Sequence, residues 1–262
     1  MEKITAYVDA TKEFRNLSAR IQEVFVGKAL KSVEDNIELF AVKAELEGRT
    51  KDTLYRKIIG AGDDITFICN ARIAMNCVRM FMQTLTAKSE YTACAGIYVT
   101  HTKFPFARAY QYTEELCGIA KEKSRKHEGN YVDFQIRFGA VLDDIKSIRS
   151  VQYTSAEGNA LTGRPYLING ITEQNNVRLL DALLKRTSDF NDKKIARTRI
   201  KDLREMFMLG TKMVETELKK INSRLSDKLD IKSGDYQLLF DAIDIMDLKW
   251  EATYDSEENS KH

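Results

Sequence analysis

The sequence predicts an α+β chain: a layer of sheet with helices on one face, then an all-helical C-terminal part. Three observations carry this. Short β-branched runs flank a glycine-rich turn at Ile58–Ile68. Strand-like and helix-like stretches then alternate up to about residue 138. From about residue 172 only helical periodicity remains.

The 262 residues are 43% hydrophobic and 31% charged, with a formal net charge of +2. That balance suits a globular chain rich in solvated helix and gives no overall bias toward nucleic acid, so any basic surface must be local. No apolar run approaches the roughly 20 residues that span a bilayer. The N-terminus lacks the apolar core of a signal peptide. Cys69, Cys77, Cys94 and Cys117 form no C-x-x-C pair and sit in apolar segments, which predicts buried thiols in a reducing cytoplasm.

Residues 1–35 read as helix, with Phe14, Leu17, Ile21, Val24, Phe25 and Leu30 recurring at three- and four-residue steps. Ile4–Val8 is ambiguous: it opens that helix, or it is a strand ending in Asp9. Ile37–Val42 reads as a short strand before a loop. The hairpin follows, with strands near 54–59 and 64–69. Ile73, Ala74, Cys77, Val78, Phe81, Met82 and Leu85 mark one face of a helix over 71–87. Residues 91–101 read as a buried strand containing Gly96. Phe104-Pro105-Phe106 opens a helix to about Arg125, and Tyr131–Phe138 alternates like a strand. This order predicts an antiparallel sheet with helices on one face. Residues 139–170 read as a connector. Helices are predicted at 176–188, 192–225 and 235–254, and a polar, disordered tail over 255–262. The resulting domains are 1–170, 171–254 and the tail.

The centre of the chain is Gly60-Ala61-Gly62-Asp63-Asp64. Glycines permit the tight turn, and two adjacent carboxylates stand at its tip. Adjacent carboxylates repel, and a divalent cation neutralises such a pair; a hydrophilic turn that merely tolerates acids is the other reading.

These residues resemble the Gly-Gly-Asp-Asp hairpin of the palm domain in the large subunit of type III CRISPR effector complexes, itself related to GGDEF diguanylate cyclases. Other stretches match in order. Ala93-Cys94-Ala95-Gly96-Ile97-Tyr98-Val99 is similar to the family's small-residue strand. Lys103–Tyr110 resembles its loop into the next helix, Glu114–Lys121 the helix ending in Ala-Lys, and Asn16–Arg20 its Leu-Ser-Arg helix. The likeness covers residues 1–165 and extends to bacterial proteins described as carrying a second palm domain.

The resemblance implies a ferredoxin-like palm that binds ATP with Mg2+ or Mn2+ and joins or cyclises nucleotides in CRISPR-type antiviral defence or signalling. Asp63 and Asp64 would be the catalytic carboxylates and metal ligands. Gly60, Ala61 and Gly62 would let the triphosphate approach, and Lys121 would reach the phosphates. A degenerate palm acting as a structural or regulatory module is the alternative. Two departures stand out. Ala61 replaces the second glycine. The family's first acidic strand, at its usual offset, would fall before Met1, so the chain begins after it or Asp9 takes its place. A protein partner or homodimer would then cover the exposed sheet edges.

Elsewhere, His101 reads as a histidine satisfied by its neighbours. Asp241, Asp244 and Asp247 read as a solvated acidic face rather than a cation site. Lys193 through Arg204 lacks interleaved aromatics and reads as a charged helix face, which gives a nucleic-acid surface no support.

Overall fold

The computed structural model describes residues 2–137, 144–170, 179–192, 195–226, 228–229 and 235–250. It is α+β and divides into two compact units, Met1–Ala93 and Cys94–His262.

In the first unit a long helical run opens the chain. Helix α1 (Glu2–Gln22) passes into a π-helical segment (Glu23–Leu30) and then α2 (Lys31–Asp35). Ile4–Val8 is therefore helical, and Asp9 is an exposed helix residue rather than a strand end. The expected strand at 37–42 is also a helix, α3 (Ile37–Lys43). Ile37, Phe40 and Ala41 supply an i, i+3, i+4 buried stripe, which six residues of apolar composition cannot distinguish from a strand. A single turn, α4 (Lys51–Leu54), leads into the hairpin of β1 (Tyr55–Ala61) and β2 (Asp64–Cys69).

Helix α5 (Ala71–Lys88) follows, capped by the Asn70 side chain, whose oxygen accepts from the Arg72 N–H at 3.0 Å. Its buried face packs on the π segment, α2 and α3. Phe25 meets Phe81 edge to face, with ring centres 6.1 Å apart. Burial of Phe25, Leu30, Val33, Ile37, Phe40, Ile73, Met75 and Leu85 makes this the core of the unit.

The second unit holds a three-stranded sheet of order β3 (Cys94–Val99), β4 (Gly129–Ile136), β5 (Tyr166–Gly170). The expected single antiparallel sheet is replaced, among the described residues, by this sheet and the separate hairpin. β3 and β4 run parallel because the helix between them, α6 (Phe106–Ser124), carries the chain back to the starting end. β4 and β5 are antiparallel. β5 and α7 (Ile145–Gln152) lie within the stretch expected to be a plain connector.

Gly96 is the contact point of α6 with the sheet. A Cβ there would stand 2.2 Å from the Thr113 carbonyl oxygen and 2.7 Å from the Cys117 nitrogen, so only glycine admits the helix backbone this close. The expected helix over 192–225 is two helices, α9 (Arg197–Leu209) and α10 (Thr211–Asn222), separated at Gly210. Helix α8 (Leu180–Asp192) packs on β5 and on α11 (Tyr236–Ile245). Residues 255–262, the expected tail, lie outside the described residues.

Arg164 anchors this unit. Its side chain is fully buried. Nη1 donates to the Phe134 carbonyl at 2.9 Å and Nη2 to Asp244 Oδ2 at 2.9 Å, with Asp241 Oδ1 3.0 Å away. The guanidinium carbon lies 4.1 Å from the centre of the Phe134 ring. Asp241 accepts from the Tyr166 hydroxyl (2.7 Å), the Gly163 N–H (2.8 Å) and the Thr162 hydroxyl (3.1 Å). Arg204 Nε donates to Asp244 at 2.7 Å. The acidic stripe of α11 is thus not a solvated face: Asp241 and Asp244 are buried in ion pairs, and of the three only Asp247 is exposed, paired with Arg197. Nearby, Arg149 grips the buried Asp133 through two hydrogen bonds of 2.9 and 2.7 Å.

Removing one member of a buried pair strands the other. Arg164→Met should therefore cost about 3–5 kcal/mol in urea unfolding, because Asp241 and Asp244 keep their burial and lose their cation.

Two surface carboxylates cap helices in this unit. Asp144 accepts from the Ser147 N–H at 2.8 Å, and Glu157 from the Thr211 N–H at 3.2 Å and hydroxyl at 2.9 Å. The Ser147 and Thr211 backbone hydrogen bonds hold these carboxyls below their ordinary values of 3.8 and 4.5. A depressed folded value means stability that is present above the ordinary value and lost as pH falls through the folded one. The thermal midpoint should fall on acidification below pH 4.5, and Asp144→Asn with Glu157→Gln should flatten that fall.

Candidate functional site

The hairpin turn assembles five of the six residues singled out from the sequence. Ala61 and Asp64 form the closing pair of the ladder, so Gly62-Asp63 is a two-residue loop. Gly62 has φ +62° and Asp63 does not have positive φ, the combination of a type II′ turn with glycine at its first central position. Ala61 lies in β1, also without positive φ, so alanine fits where the resembling family has glycine. A Cβ on Gly60 would stand 3.3 Å from Leu30 Cδ2, which marks the contact of β1 with the π segment. The Gly62 N–H donates to Gln22 Oε1 at 2.5 Å.

Asp63 and Asp64 are both exposed. Neither carboxylate has a hydrogen-bond or ion-pair partner among the described residues. The turn therefore presents two adjacent negative charges that no described residue neutralises. The backbone is open beside them at Gly62, where an added Cβ would meet nothing within 4 Å, whereas Gly60 lies against Lys57 and Leu30. Among the described residues no three His, Cys, Asp or Glu side chains gather as a metal cage, and Asp9 is not part of the turn but an exposed residue of α1.

Lys121, the sixth residue, belongs to the second unit. It is exposed on the last turns of α6, and its carbonyl accepts from the Arg125 N–H at 3.0 Å. It stands close enough to Cys94 to favour the thiolate, although burial dominates and pushes that thiol up.

No protein-family model matches the chain, and no curated protein matches it.

The other constellations resolve into local structure. His101 is exposed, and its Nδ1 accepts from the Lys103 N–H at 3.2 Å. Arg199 pairs with Glu217 at 3.6 Å, and Arg197, Lys201 and Arg204 have acidic partners on α11 or the turn after it. Lys193 and Lys194 lie outside the described residues. The four cysteines are free thiols; Cys77 is buried and the other three are half-buried.

Sequence reasoning missed Gln22. It lies 40 residues before its partner, and nothing in its own neighbourhood marks it. It also missed Arg164, whose only local signal is a charged residue between Gly163 and Pro165.

An L-residue in the left-handed region costs about 1–2 kcal/mol. At Gly62 an added Cβ meets nothing within 4 Å, so the cost is purely conformational. Gly62→Ala should lose about 1 kcal/mol in denaturant unfolding.

Proposed function

We propose that the chain is a palm-type, divalent-cation-dependent nucleotide-binding protein of the nucleotidyl cyclase and polymerase group, acting in CRISPR-like bacterial defence or signalling. The observation that carries this reading is the exposed Asp63–Asp64 pair on a glycine-shaped turn, without a side-chain partner among the described residues. The donor set fits Mg2+. That ion keeps much of its hydration and binds through one or two carboxylates together with substrate phosphates. Asp63 and Asp64 would hold it, and when bound it would neutralise phosphate charge. The backbone of Gly60, Ala61 and Gly62 is small enough for a triphosphate, with ATP the expected nucleotide. Lys121 is assigned to the phosphates on the strength of the family resemblance.

The order hairpin, α5, β3, α6, β4 supports the palm reading, since it is the order the resembling hairpin domain follows. Helices α8–α11 we assign to a helical part that follows the palm in sequence, supported by the packing of α8 on α11, α9 on α10 and α9 on α11; α8 and α11 also rest on the sheet of the second unit, through β5 and through Arg164. A protein partner or a second copy is the proposed ligand of the exposed sheet edges.

One observation favours the second reading, in which the palm binds nucleotide without turning it over. Two-metal phosphoryl chemistry needs ions roughly 3.5–4 Å apart with shared ligands, and the turn offers two carboxylates with no third acid gathered among the described residues. Binding and turnover are therefore separable claims.

Calorimetric titration of ATP in Mg2+ or Mn2+ should show saturable binding by the wild type, weakened at least about tenfold by Asp63→Asn with Asp64→Asn. Lys121→Ala should weaken ATP but leave Mn2+ alone unaffected. Chromatography of labelled ATP after incubation separates the readings: cyclic or linear oligoadenylate marks a cyclase, and unchanged ATP with intact binding marks a sensor. Equal ATP binding by wild type and the double variant would remove the carboxylates from the site.

A further inference from the structure

The bond between Gln22 and the turn reaches beyond fold stability. In a two-residue hairpin loop closed by Ala61 and Asp64, the ladder makes no use of the Gly62 N–H. Left alone, that N–H would point to water and the turn would be held only by its strands. Here it donates to Gln22 Oε1 at 2.5 Å, across 40 residues of sequence. Gln22 closes α1 just where the π segment begins, and Leu30, at the far end of that segment, abuts Gly60. The same helical run thus touches the turn on either side of Ala61. π-helical turns are rare and are frequent at functional sites.

The residue type is informative. The acceptor sits on the amide of Gly62, one residue before Asp63 and two before Asp64. A glutamate would accept the same bond but add a third negative charge to an unneutralised pair. Glutamine accepts without charge.

We propose that Gln22 is the positioning residue of the hairpin site: its carboxamide oxygen holds the Gly62 N–H and so fixes the turn on which Asp63 and Asp64 receive the cation. This rests on the reading of the hairpin as a divalent-ion and nucleotide site. Gln22 acts through the turn and is not itself a ligand. The bond preorganises two like charges that would otherwise spread apart and need to be gathered at each binding event.

The test uses the full chain and two variants, Gln22→Ala and Gln22→Glu. Gln22 is exposed, so neither change touches the core. Two readouts are taken: hydrogen exchange of the Gly62 amide by NMR without any ligand, and Mn2+ affinity by electron paramagnetic resonance with and without ATP. In the wild type the Gly62 amide should be protected. Gln22→Ala should abolish that protection and weaken Mn2+ about tenfold, the usual effect of removing an outer-shell partner. Gln22→Glu should keep the protection and bind Mn2+ at least as tightly as the wild type, since it restores the acceptor and adds a carboxylate. Wild-type Mn2+ affinity in Gln22→Ala, with protection lost, would overturn this inference and leave the hairpin site standing. Failure of the wild type to bind Mn2+ with or without ATP would overturn the site and the inference together. An unprotected Gly62 amide in the wild type would overturn the inference at its structural root.

Discussion

A guanidinium with no exposed surface needs its charge balanced, its N–H groups accepted and its faces covered, and the second unit is arranged so that Arg164 has most of this. Asp241 and Asp244 balance the charge, the Phe134 carbonyl accepts a proton, and the Phe134 ring covers a face. Satisfying Arg164 fixes much else. It draws the C-terminal helix α11 against the central strand β4. It leaves Asp241 free to accept from Thr162, Gly163 and Tyr166, which sets the entry into β5. Such a network adds less to net stability than an apolar core of the same volume would. A slip of α11 past β4 would strand a buried charge.

The first unit is organised differently. Apolar packing of α5 on the π segment forms the core, and the hairpin projects from it with most of its surface in solvent. A hairpin of two strands is marginal by itself. This one is tied to the helical run by Leu30 against Gly60, by Gln22 at Gly62 and by the Lys57–Glu34 ion pair at 3.0 Å. Charges that would be costly to gather inside a core are thus displayed on an element that can be rigid while remaining wet.

The contrast explains what the sequence made legible. The hairpin could be read directly, because turn and strands are specified by contiguous residues: positive φ at Gly62, β-branched flanks, acids at the tip. Helices α5 and α6 were legible from periodicity over many turns. Ile37–Lys43 was not, because a short apolar run carries no period long enough to decide between helix and strand. The parallel pairing of β3 and β4 follows from the α6 crossover, a consequence of topology rather than of composition. Asp241 and Asp244 looked like a solvated stripe because their partners lie far off: Arg164 is 80 residues from Asp244 and Arg204 is 40. In the candidate site, the acids and glycines were visible and the residue that steadies them was not, for the same reason of distance.

The exposure of the carboxylate pair also bears on which ligand it suits. Two carboxylates on one turn, open to water, form a poor cage for a bare ion: most of the coordination sphere stays water, and the high dielectric weakens the attraction. The same two carboxylates suit an ion that arrives with oxygens of its own. Magnesium on a triphosphate brings phosphate oxygens that complete the shell, and each partner then offsets the other's charge. On the proposed reading, the turn is therefore selective for the metal–nucleotide pair over either component, and it achieves this through shallowness rather than enclosure. A deeper site with a third fixed acid would bind the free ion strongly and lose that coupling. The uncharged side chain of Gln22 at the turn, where a glutamate would make the same hydrogen bond, is what keeps the site on the shallow side of that divide.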